Sequence, residues 1–391
     1  MQRITILGST GSVGQSTLDV LRLHPDHFKV QALTAHSNVD EMLSQCQHFK
    51  PATVVMSDSG AAAKLTEQLL DCGLDQITVL KGSQAICDVA GSSDCDVVMS
   101  AIVGAAGLMP TLMAVQAAKR VLIANKEPLV MTGDLFMREA EIYNATILPI
   151  DSEHNAIFQC LPDNQSKIGV RKIHLTASGG PFRGRAWSSL RDITPEQACA
   201  HPNWSMGHKI SVDSATMMNK GLELIEATAL FGLPAQQVNI VVHPQSIIHS
   251  MVEYDDGSFL AQLGSPDMKI PIAHALSWPD RVNSGAKSLD ITEIARLDFE
   301  KPDMQNLPCL RLARQAAEAG GAAPAVLNAA NEIAVAGFLD KKLKFTDIAS
   351  VIDDVISSVS LPLIETVEDV LQIDNEARRL AIQALESRRI V

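Results

Sequence analysis

The sequence predicts an α/β protein built from several domains, and three observations lead to this fold class. Near the N-terminus, an apolar run at Ile4–Leu7 leads into glycines at Gly8, Gly11 and Gly14, and apolar residues at helical spacing follow. Strand-like runs then recur up to about residue 150, with helix-like segments between several of them, which is typical of a mostly parallel sheet. From about residue 312 the apolar residues recur with a helical period. A chain of 391 residues is long enough for two or three such domains.

Composition and charge narrow the functional class. The chain is 46% hydrophobic and 20% charged, as folded proteins are, and its formal net charge is −13. An acidic chain lacks the basic face that nucleic acid or an anionic membrane surface attracts. No stretch approaches the ~20 apolar residues of a membrane span. "MQRITILG" enters a strand with no signal or transit segment ahead of it. We therefore expect a cytoplasmic protein with neither nucleic-acid nor membrane partners.

The seven cysteines are scattered, odd in number and without a C-x-x-C pair. This pattern indicates neither a zinc site nor a dithiol redox motif. We expect small buried thiols in a reducing compartment.

The glycine turn "GSTGSVG" indicates a dinucleotide site. Its spacing is G-x-x-G-x-x-G, which differs from the usual G-x-G-x-x-G. Glycines let the backbone approach a pyrophosphate, and the N-terminus of the next helix supplies free N–H groups. A purely structural turn is the alternative.

The second predicted strand, Phe28–Thr34, ends in "AHSN" without the acid that NAD sites use, which favours NADP. Because no Arg or Lys stands there either, the available polar contacts are His36, Ser37 and Asn38.

Polar residues follow three of the predicted strands at the point where each strand ends. They are Ser100-Ala101, Asn125-Lys126-Glu127 and Asp151-Ser152-Glu153. Because ligands of parallel sheets lie beyond the carboxyl ends of the strands, we expect these residues to converge at one rim. Residues i and i+2 of an extended chain point the same way, so Asp151 and Glu153 can share one ligand. An ordinary solvated loop is the alternative.

A helix is predicted from about Ser214 to Phe231, with Asp213 or Ser214 as its N-cap and Gly232 near its end. One of its faces carries the polar residues Asn219, Glu223 and Glu226. A solvated helix face explains this pattern. The alternative is that a carboxylate of this helix joins Asp151 and Glu153 in an oxygen-only site, which suits Mg²⁺ or Mn²⁺.

A glycine- and proline-rich stretch at about 179–210 precedes this helix and contains Trp187 and Trp204. A loop of this length inside a folded domain is commonly a functional lid. Ordinary irregular structure is the alternative.

Eight motifs occur in an order and spacing that resemble one family, 1-deoxy-D-xylulose 5-phosphate reductoisomerase. They are "GSTGSVG", "ANKE", "DSEH", "SGGPF", "HPNWSMG", "MMNKGLE", "HPQSIIHS" and "SPDM". The resemblance spans essentially the whole chain. It implies conversion of 1-deoxy-D-xylulose 5-phosphate to 2-C-methyl-D-erythritol 4-phosphate on the non-mevalonate isoprenoid route. It also implies NADPH and a divalent cation (Mg²⁺ or Mn²⁺, with Co²⁺ a third candidate) as cofactors, and a homodimer formed through the middle domain.

The resemblance also implies residue roles. Asp151, Glu153 and Glu223 are the implied metal ligands, and Lys126 joins them as a catalytic residue. The implied substrate contacts are Lys126, Ser152, Ser178, His201, Trp204, Ser214, Asn219, Lys220 and His249. The implied cofactor contacts are Thr10, Gly11, Ser12, Val13, Asn38, Asn125, Glu127 and Met206.

We therefore predict four segments. Residues 1–150 form a Rossmann-like NADPH-binding domain, and residues 151–284 form an α+β catalytic domain with its lid at about 179–210. Residues 285–311 are a linker, and residues 312–391 form a C-terminal helical bundle with a structural role. Thr346 and Thr366 are its expected helix caps.

Two other functions stay open on the residues alone. A different NADP-dependent oxidoreductase, such as a semialdehyde dehydrogenase, would need a nucleophilic cysteine partnered by a histidine. A catalytically idle NADP(H) sensor would need the glycine turn but neither the carboxylates nor the lid.

Overall fold

The computed structural model describes residues 1–161, 167–200, 204 and 207–390. The chain forms two compact units. The first unit comprises Met1–Pro128, Phe136–Asn155 and Asp267–Lys287, and the second comprises Leu129–Leu135, Ala156–Pro266 and Ser288–Val391. The predicted domain boundaries remain predictions. The compact units are drawn differently, since Asp267–Lys287, within the predicted catalytic domain, belongs to the first unit.

A seven-stranded sheet forms the core of the first unit. Every neighbouring pair of strands is parallel, in the spatial order β4-β3-β2-β1-β5-β6-β7. The strands are β1 (Gln2–Leu7), β2 (Phe28–Ala35), β3 (Thr53–Met56), β4 (Thr78–Lys81), β5 (Val97–Ser100), β6 (Arg120–Ile123) and β7 (Thr146–Pro149). The strand order reverses direction between β1 and β5, which is where open α/β sheets bind ligands. The predicted Rossmann-like fold is thus confirmed.

The crossover helices of this sheet carry apolar residues at helical spacing on their buried faces. The first helices are α1 (Ser12–Leu23), α2 (Val39–Phe49), α3 (Ser59–Asp71), α4 (Ser83–Gly91), α5 (Leu108–Gln116), α6 (Glu127–Thr132), α7 (Asp134–Ile142) and α8 (Ser152–Cys160). The last three each cross from one unit to the other.

The second unit contains a four-stranded sheet in the order β11-β10-β8-β9. β8 (Val170–Ala177) and β9 (Val238–Val242) run parallel, whereas β10 (Ile248–Tyr254) is antiparallel to both β8 and β11 (Phe259–Leu263). Between β8 and β9 lie the helices α9 (Pro195–Ala198), α10 (His208–Ala215) and α11 (Met218–Phe231).

The predicted single helix from Ser214 to Phe231 is wrong at its N-terminal end. Ser214 lies in the last turn of α10, and the chain breaks at Met217, which takes a left-handed conformation with φ 62°. No side chain caps α11, so the expected N-cap role of Asp213 or Ser214 is not found. The C-terminal prediction is confirmed, because Gly232 ends α11 in a left-handed conformation.

The chain returns to the first unit in α12 (Lys269–Ser277), which packs against α1. Two contacts fix the returning segment. The side chain of Arg120 donates to the Trp278 carbonyl at 3.2 Å, and a ring nitrogen of His24 lies 2.7 Å from the Asn283 carbonyl. The first unit therefore includes residues that are remote in sequence from its sheet.

The C-terminal helices are α13 (Pro308–Ala319), α14 (Ala323–Leu339), α15 (Asp347–Ser358) and α16 (Val367–Glu386). Thr366 caps α16 in a capping box, as expected, whereas Thr346 makes no side-chain cap to α15. No helix among the described residues is long and apolar enough to cross a membrane.

Candidate functional site

The glycine turn joins β1 to α1, and its geometry separates the roles of its glycines. Gly8 has φ +82°, and a Cβ on Gly14 would lie 2.4 Å from the Gly8 carbonyl oxygen. Gly11 has an ordinary φ of −79°, and the nearest atom to its added Cβ would be 3.4 Å away. The turn itself therefore requires glycine at positions 8 and 14. Gly11 is the N-cap of α1, a position at which glycine is preferred over alanine, and its lack of a side chain leaves the backbone there open.

The predicted pyrophosphate contacts lie at the open N-terminus of α1. Thr10 and Val13 are partly exposed, and Gly11 and Ser12 are exposed. No side chain caps this helix, whose first N–H groups carry partial positive charge. The arrangement can bind an anion.

The end of β2 carries no basic residue, as the sequence indicates. The ring nitrogen Nδ1 of His36 lies 2.6 Å from Ser57 Oγ at the end of β3. Asn38 caps α2 by accepting from the Glu41 backbone N–H at 3.3 Å. Its side chain therefore has a structural task beside the predicted cofactor contact.

The three polar strand ends lie side by side, since β5, β6 and β7 are neighbours in the parallel sheet. Ser100 Oγ donates to Asn125 Oδ1 at 2.8 Å and lies 2.5 Å from Thr111 Oγ1. Thr111 in turn donates to the Gly107 carbonyl. These buried bonds fix the ends of β5 and β6. Sequence reasoning missed Thr111 and Gly107, which no pattern distinguishes from ordinary helix residues.

Lys126 and Asp151 form an ion pair at 2.7 Å between the ends of β6 and β7, with side chains only 10% and 16% exposed. The solvated-loop alternative for this stretch is therefore wrong. The extended geometry expected for Asp151–Glu153 is also wrong, because β7 ends at Pro149 and α8 begins at Ser152. Glu153 lies in the first turn of α8 and accepts from Ser152 Oγ at 2.7 Å. A helix N-terminus stabilises carboxylates at these positions.

The turn that carries these carboxylates is braced by Asn155. Its side-chain Nδ2 donates to the Pro149 carbonyl at 2.9 Å and lies 3.2 Å from His274 Nδ1 in α12. Burial, aided by the charge of Arg281, lowers the pKa of His274 to about 4, so its neutral ring accepts this bond. His274 was not found from sequence, because 119 residues separate it from Asn155.

In the second unit, α11 presents a cluster formed by the buried Lys220 and Glu223 and the partly exposed Asn219. The Lys220 ammonium pairs with one Glu223 oxygen, and Asn219 Nδ2 donates to the other at 2.5 Å. Glu223 and Glu226 are each 1% exposed. The solvated-face alternative is therefore wrong. A carboxylate at this depth needs such charged and polar partners to offset its lost hydration.

The predicted phosphate contacts Ser178 and Ser214 belong to neighbouring segments of the second unit. Ser178 Oγ accepts from the Gly180 N–H at 3.2 Å. Gly180 has φ +68°, and a Cβ there would lie 2.6 Å from the Ser214 carbonyl oxygen. The turn after β8 thus packs directly on the last turn of α10.

Part of the predicted lid is described. Trp187 lies in a short 3₁₀ helix and packs 5.5 Å from the ring of Phe345, so this part of the stretch is anchored. The ring centroids of Trp204 and His249 lie 6.3 Å apart, and the substrate contacts predicted for both residues remain predictions. The predicted contacts His201 and Met206 lie outside the described residues. The lid itself remains a prediction.

The cysteines do not support a cysteine nucleophile. All seven are free thiols. Burial raises the pKa of Cys46 and Cys309 to about 12 and that of Cys160 to about 11. A nucleophilic cysteine needs a lowered pKa, which makes the semialdehyde dehydrogenase alternative a poor fit.

The predicted metal ligands divide between the units, with Asp151 and Glu153 in the first and Glu223 in the second. All three offer hard oxygen donors, and no thiol belongs to the predicted set. This donor chemistry fits Mg²⁺ or Mn²⁺.

Family models cover most of the chain. One described as 1-deoxy-D-xylulose 5-phosphate reductoisomerase matches residues 4–133. Two that describe C-terminal domains of the same enzyme match residues 147–231 and 263–380.

Curated relatives match over nearly the full length. A 1-deoxy-D-xylulose 5-phosphate reductoisomerase of Stutzerimonas stutzeri (strain A1501) is 58% identical over 388 residues, 98% of each chain. One solved structure, a DOX-P reductoisomerase in complex with NADPH, fosmidomycin and magnesium, has a TM-score of 0.93 at 46% identity, over 99% of this chain and 98% of the other. The Zymomonas mobilis enzyme in complex with NADPH has a TM-score of 0.91 at 47% identity, over 99% of both chains.

The glycine geometry predicts different effects for two substitutions in one loop. Gly14→Ala should lower the free energy of unfolding by about 1–3 kcal/mol, because its Cβ overlaps the Gly8 and Ser9 backbone. Gly11→Ala should lower it by less than about 1 kcal/mol, since φ and space both accept alanine and only the N-cap preference for glycine is lost. Urea unfolding without nucleotide measures both, and equal losses would contradict this account of the turn.

Proposed function

Because the chain belongs to the 1-deoxy-D-xylulose 5-phosphate reductoisomerase family, we propose that it converts 1-deoxy-D-xylulose 5-phosphate to 2-C-methyl-D-erythritol 4-phosphate. It is an NADP-dependent oxidoreductase that uses NADPH and a divalent cation, and its product is an isoprenoid precursor. The structural observation that carries the proposal is the Asn219–Lys220–Glu223 cluster, which lies in the motif "MMNKGLE". An idle NADP(H) sensor has no need of buried charges on α11.

We propose that NADPH binds at the switch point of the parallel sheet. The N-terminus of α1 holds the pyrophosphate through Thr10, Gly11, Ser12 and Val13. The exposure of these residues and the absence of a side-chain cap on α1 support this placement. The remaining proposed cofactor contacts are Asn38, Asn125, Glu127 and Met206.

The divalent cation is assigned to Asp151, Glu153 and Glu223. Their hard carboxylate oxygens support the assignment, as does the position of the first two just beyond the carboxyl end of a parallel strand. When bound, such a cation polarises the substrate ketone and lowers the pKa of the neighbouring hydroxyl.

Lys126 and Ser152 are placed against the substrate's oxygens. Lys126 pairs with Asp151 and Ser152 donates to Glu153, so each proposed substrate contact adjoins a proposed ligand. Lys126 thus offers a positive charge and a proton donor where negative charge develops on oxygen. In the proposed chemistry, a retro-aldol step breaks the C3–C4 bond and the two fragments recombine to form a branched aldehyde. NADPH then transfers hydride to that aldehyde.

The phosphate end is assigned to Ser178, Ser214, Asn219 and Lys220. Two hydroxyls, an amide and a buried ammonium suit a dianion. His201, Trp204 and His249 are proposed to cover the substrate. A lid of this kind excludes water from a reactive enediolate and uses phosphate binding to hold the reacting atoms in register.

The deciding experiment measures NADPH oxidation with 1-deoxy-D-xylulose 5-phosphate, with and without Mn²⁺. We expect turnover that requires the metal and is abolished by a chelator. Absence of turnover in both conditions would contradict the proposed function.

Glu223→Gln tests the cation site. It removes one charge from the proposed ligand set, so turnover should fall roughly 10²-fold or more, with NADPH affinity barely changed. Glu253→Gln is the control, because it removes the same charge from the second unit at the His174 pair. Unchanged turnover in Glu223→Gln would mean that the residue serves only the packing of α11.

We also propose that the protein is a cytoplasmic homodimer. The seven free thiols support a reducing compartment. Support for the dimer comes from β11, an edge strand whose Phe259 and Leu260 are both 51% exposed. Apolar edge strands pair readily with another chain, and a second copy is the simplest partner.

Leu260→Asp should shift the protein from dimer to monomer in sedimentation velocity, since a charge then faces the apolar partner strand. Leu363→Asp is the control, because Leu363 is 88% exposed on the chain between α15 and α16. A wild-type monomer, or a Leu260→Asp dimer of unchanged affinity, would contradict the proposed interface.

A further inference from the structure

The joint between α10 and α11 carries most of the proposed phosphate contacts. Ser214 lies in the last turn of α10, while Asn219 and Lys220 lie in the first turn of α11. Only Thr216 and Met217 separate the two helices, and Met217 turns the chain with φ 62°. A small rotation of the joint therefore moves three phosphate contacts at once.

The contacts of the Asp213 side chain hold this joint in place. This side chain is 1% exposed, and both carboxylate oxygens have partners. Lys209 Nζ lies 3.0 Å from one oxygen, and Asn331 Nδ2 donates to the other at 2.8 Å. The Asp213 carbonyl accepts from Thr216 Oγ1 at 3.2 Å. Because both carboxylate oxygens have a bonding partner, the side chain of Asp213, the residue just before Ser214, is held in one orientation.

Asn331 belongs to α14, one of the C-terminal helices, and it is fully buried. The helix before it also contacts the joint. The buried thiol of Cys309 in α13 lies beside the Thr216 side chain, and Ala313 packs against Gly221. A Cβ on Gly221 would overlap Ala313, so α13 and α11 are in close contact. The C-terminal helices thus hold the joint at three points, although their sequence indicated only a structural role.

We propose that Asn331 is a positioning residue for the phosphate group of the substrate, acting through Asp213 on the α10–α11 joint. This inference rests on the proposed function. Removing its amide takes a donor from a buried carboxylate oxygen, and that oxygen must then find another partner or change its position. Either response moves the last turn of α10, and displacements of about 1 Å in substrate-positioning groups cost up to ~10²-fold in rate.

Asn331→Ala is the test, with Asn328→Ala as the matched control. Asn328 is also a fully buried asparagine of α14, but it donates to Glu332 at 3.2 Å within its own helix. We expect Asn331→Ala to raise the KM for 1-deoxy-D-xylulose 5-phosphate about tenfold or more. The inhibition constant of inorganic phosphate should rise in parallel, with the KM for NADPH unchanged. Asn328→Ala should leave all three constants near wild type, whatever its effect on thermal stability.

A second pair of variants covers the case in which Asn331→Ala does not fold. Asn331→Asp places a carboxylate against Asp213 and should raise the substrate KM. The double variant Asp213→Asn with Asn331→Asp restores an amide–carboxylate bond and should recover part of the loss. Equal constants in Asn331→Ala and Asn328→Ala, or no recovery in the double variant, would overturn the inference. Failure of the proposed function is distinguishable, because the wild-type protein would then show no turnover.

Discussion

The pairing of lysines with carboxylates, in positions that are buried or only partly exposed, is the constraint on which the proposed site depends. Lys126 pairs with Asp151, Lys220 with Glu223, and Lys209 with Asp213. Burying such charges costs several kcal/mol per ion in desolvation, and a pair of apolar side chains of similar volume is often as stable or more so. Stability alone therefore does not explain these pairs. We interpret them as charges kept at fixed positions for a dianionic, metal-requiring substrate.

The two units position their predicted site residues in different ways. In the first unit, neighbouring parallel strands end side by side, which places Asn125, Lys126 and Asp151 at one edge. In the second unit, a break between two helices positions the predicted site residues. The left-handed Met217 gives α11 a direction of its own, and residues from α13 and α14 hold that break in place. The C-terminal helices thus contact the segment that carries most of the proposed phosphate contacts.

Sequence reasoning succeeded where local physics decides the structure. The glycine turn, the parallel strand ends and the C-cap at Gly232 each depend on neighbouring residues, so periodicity and turn chemistry find them. It failed at Glu153 because Ser152 starts a helix directly after β7, and nothing in "DSEH" separates an extended end from a first helical turn. It failed at Ser214 because the α10–α11 break depends on a left-handed methionine, which no sequence rule predicts. The roles of His274 and Asn331 could not be predicted from the sequence, because each contacts a residue more than a hundred positions away.

Asp151, Glu153 and Glu223 are proposed to hold one divalent cation. Anomalous scattering from crystals grown with Mn²⁺ and NADPH tests it most directly. We expect one strong anomalous peak per protomer, bonded to a carboxylate oxygen of each of the three residues. A peak bonded to other side chains, or one that leaves Glu223 outside its coordination sphere, would contradict it.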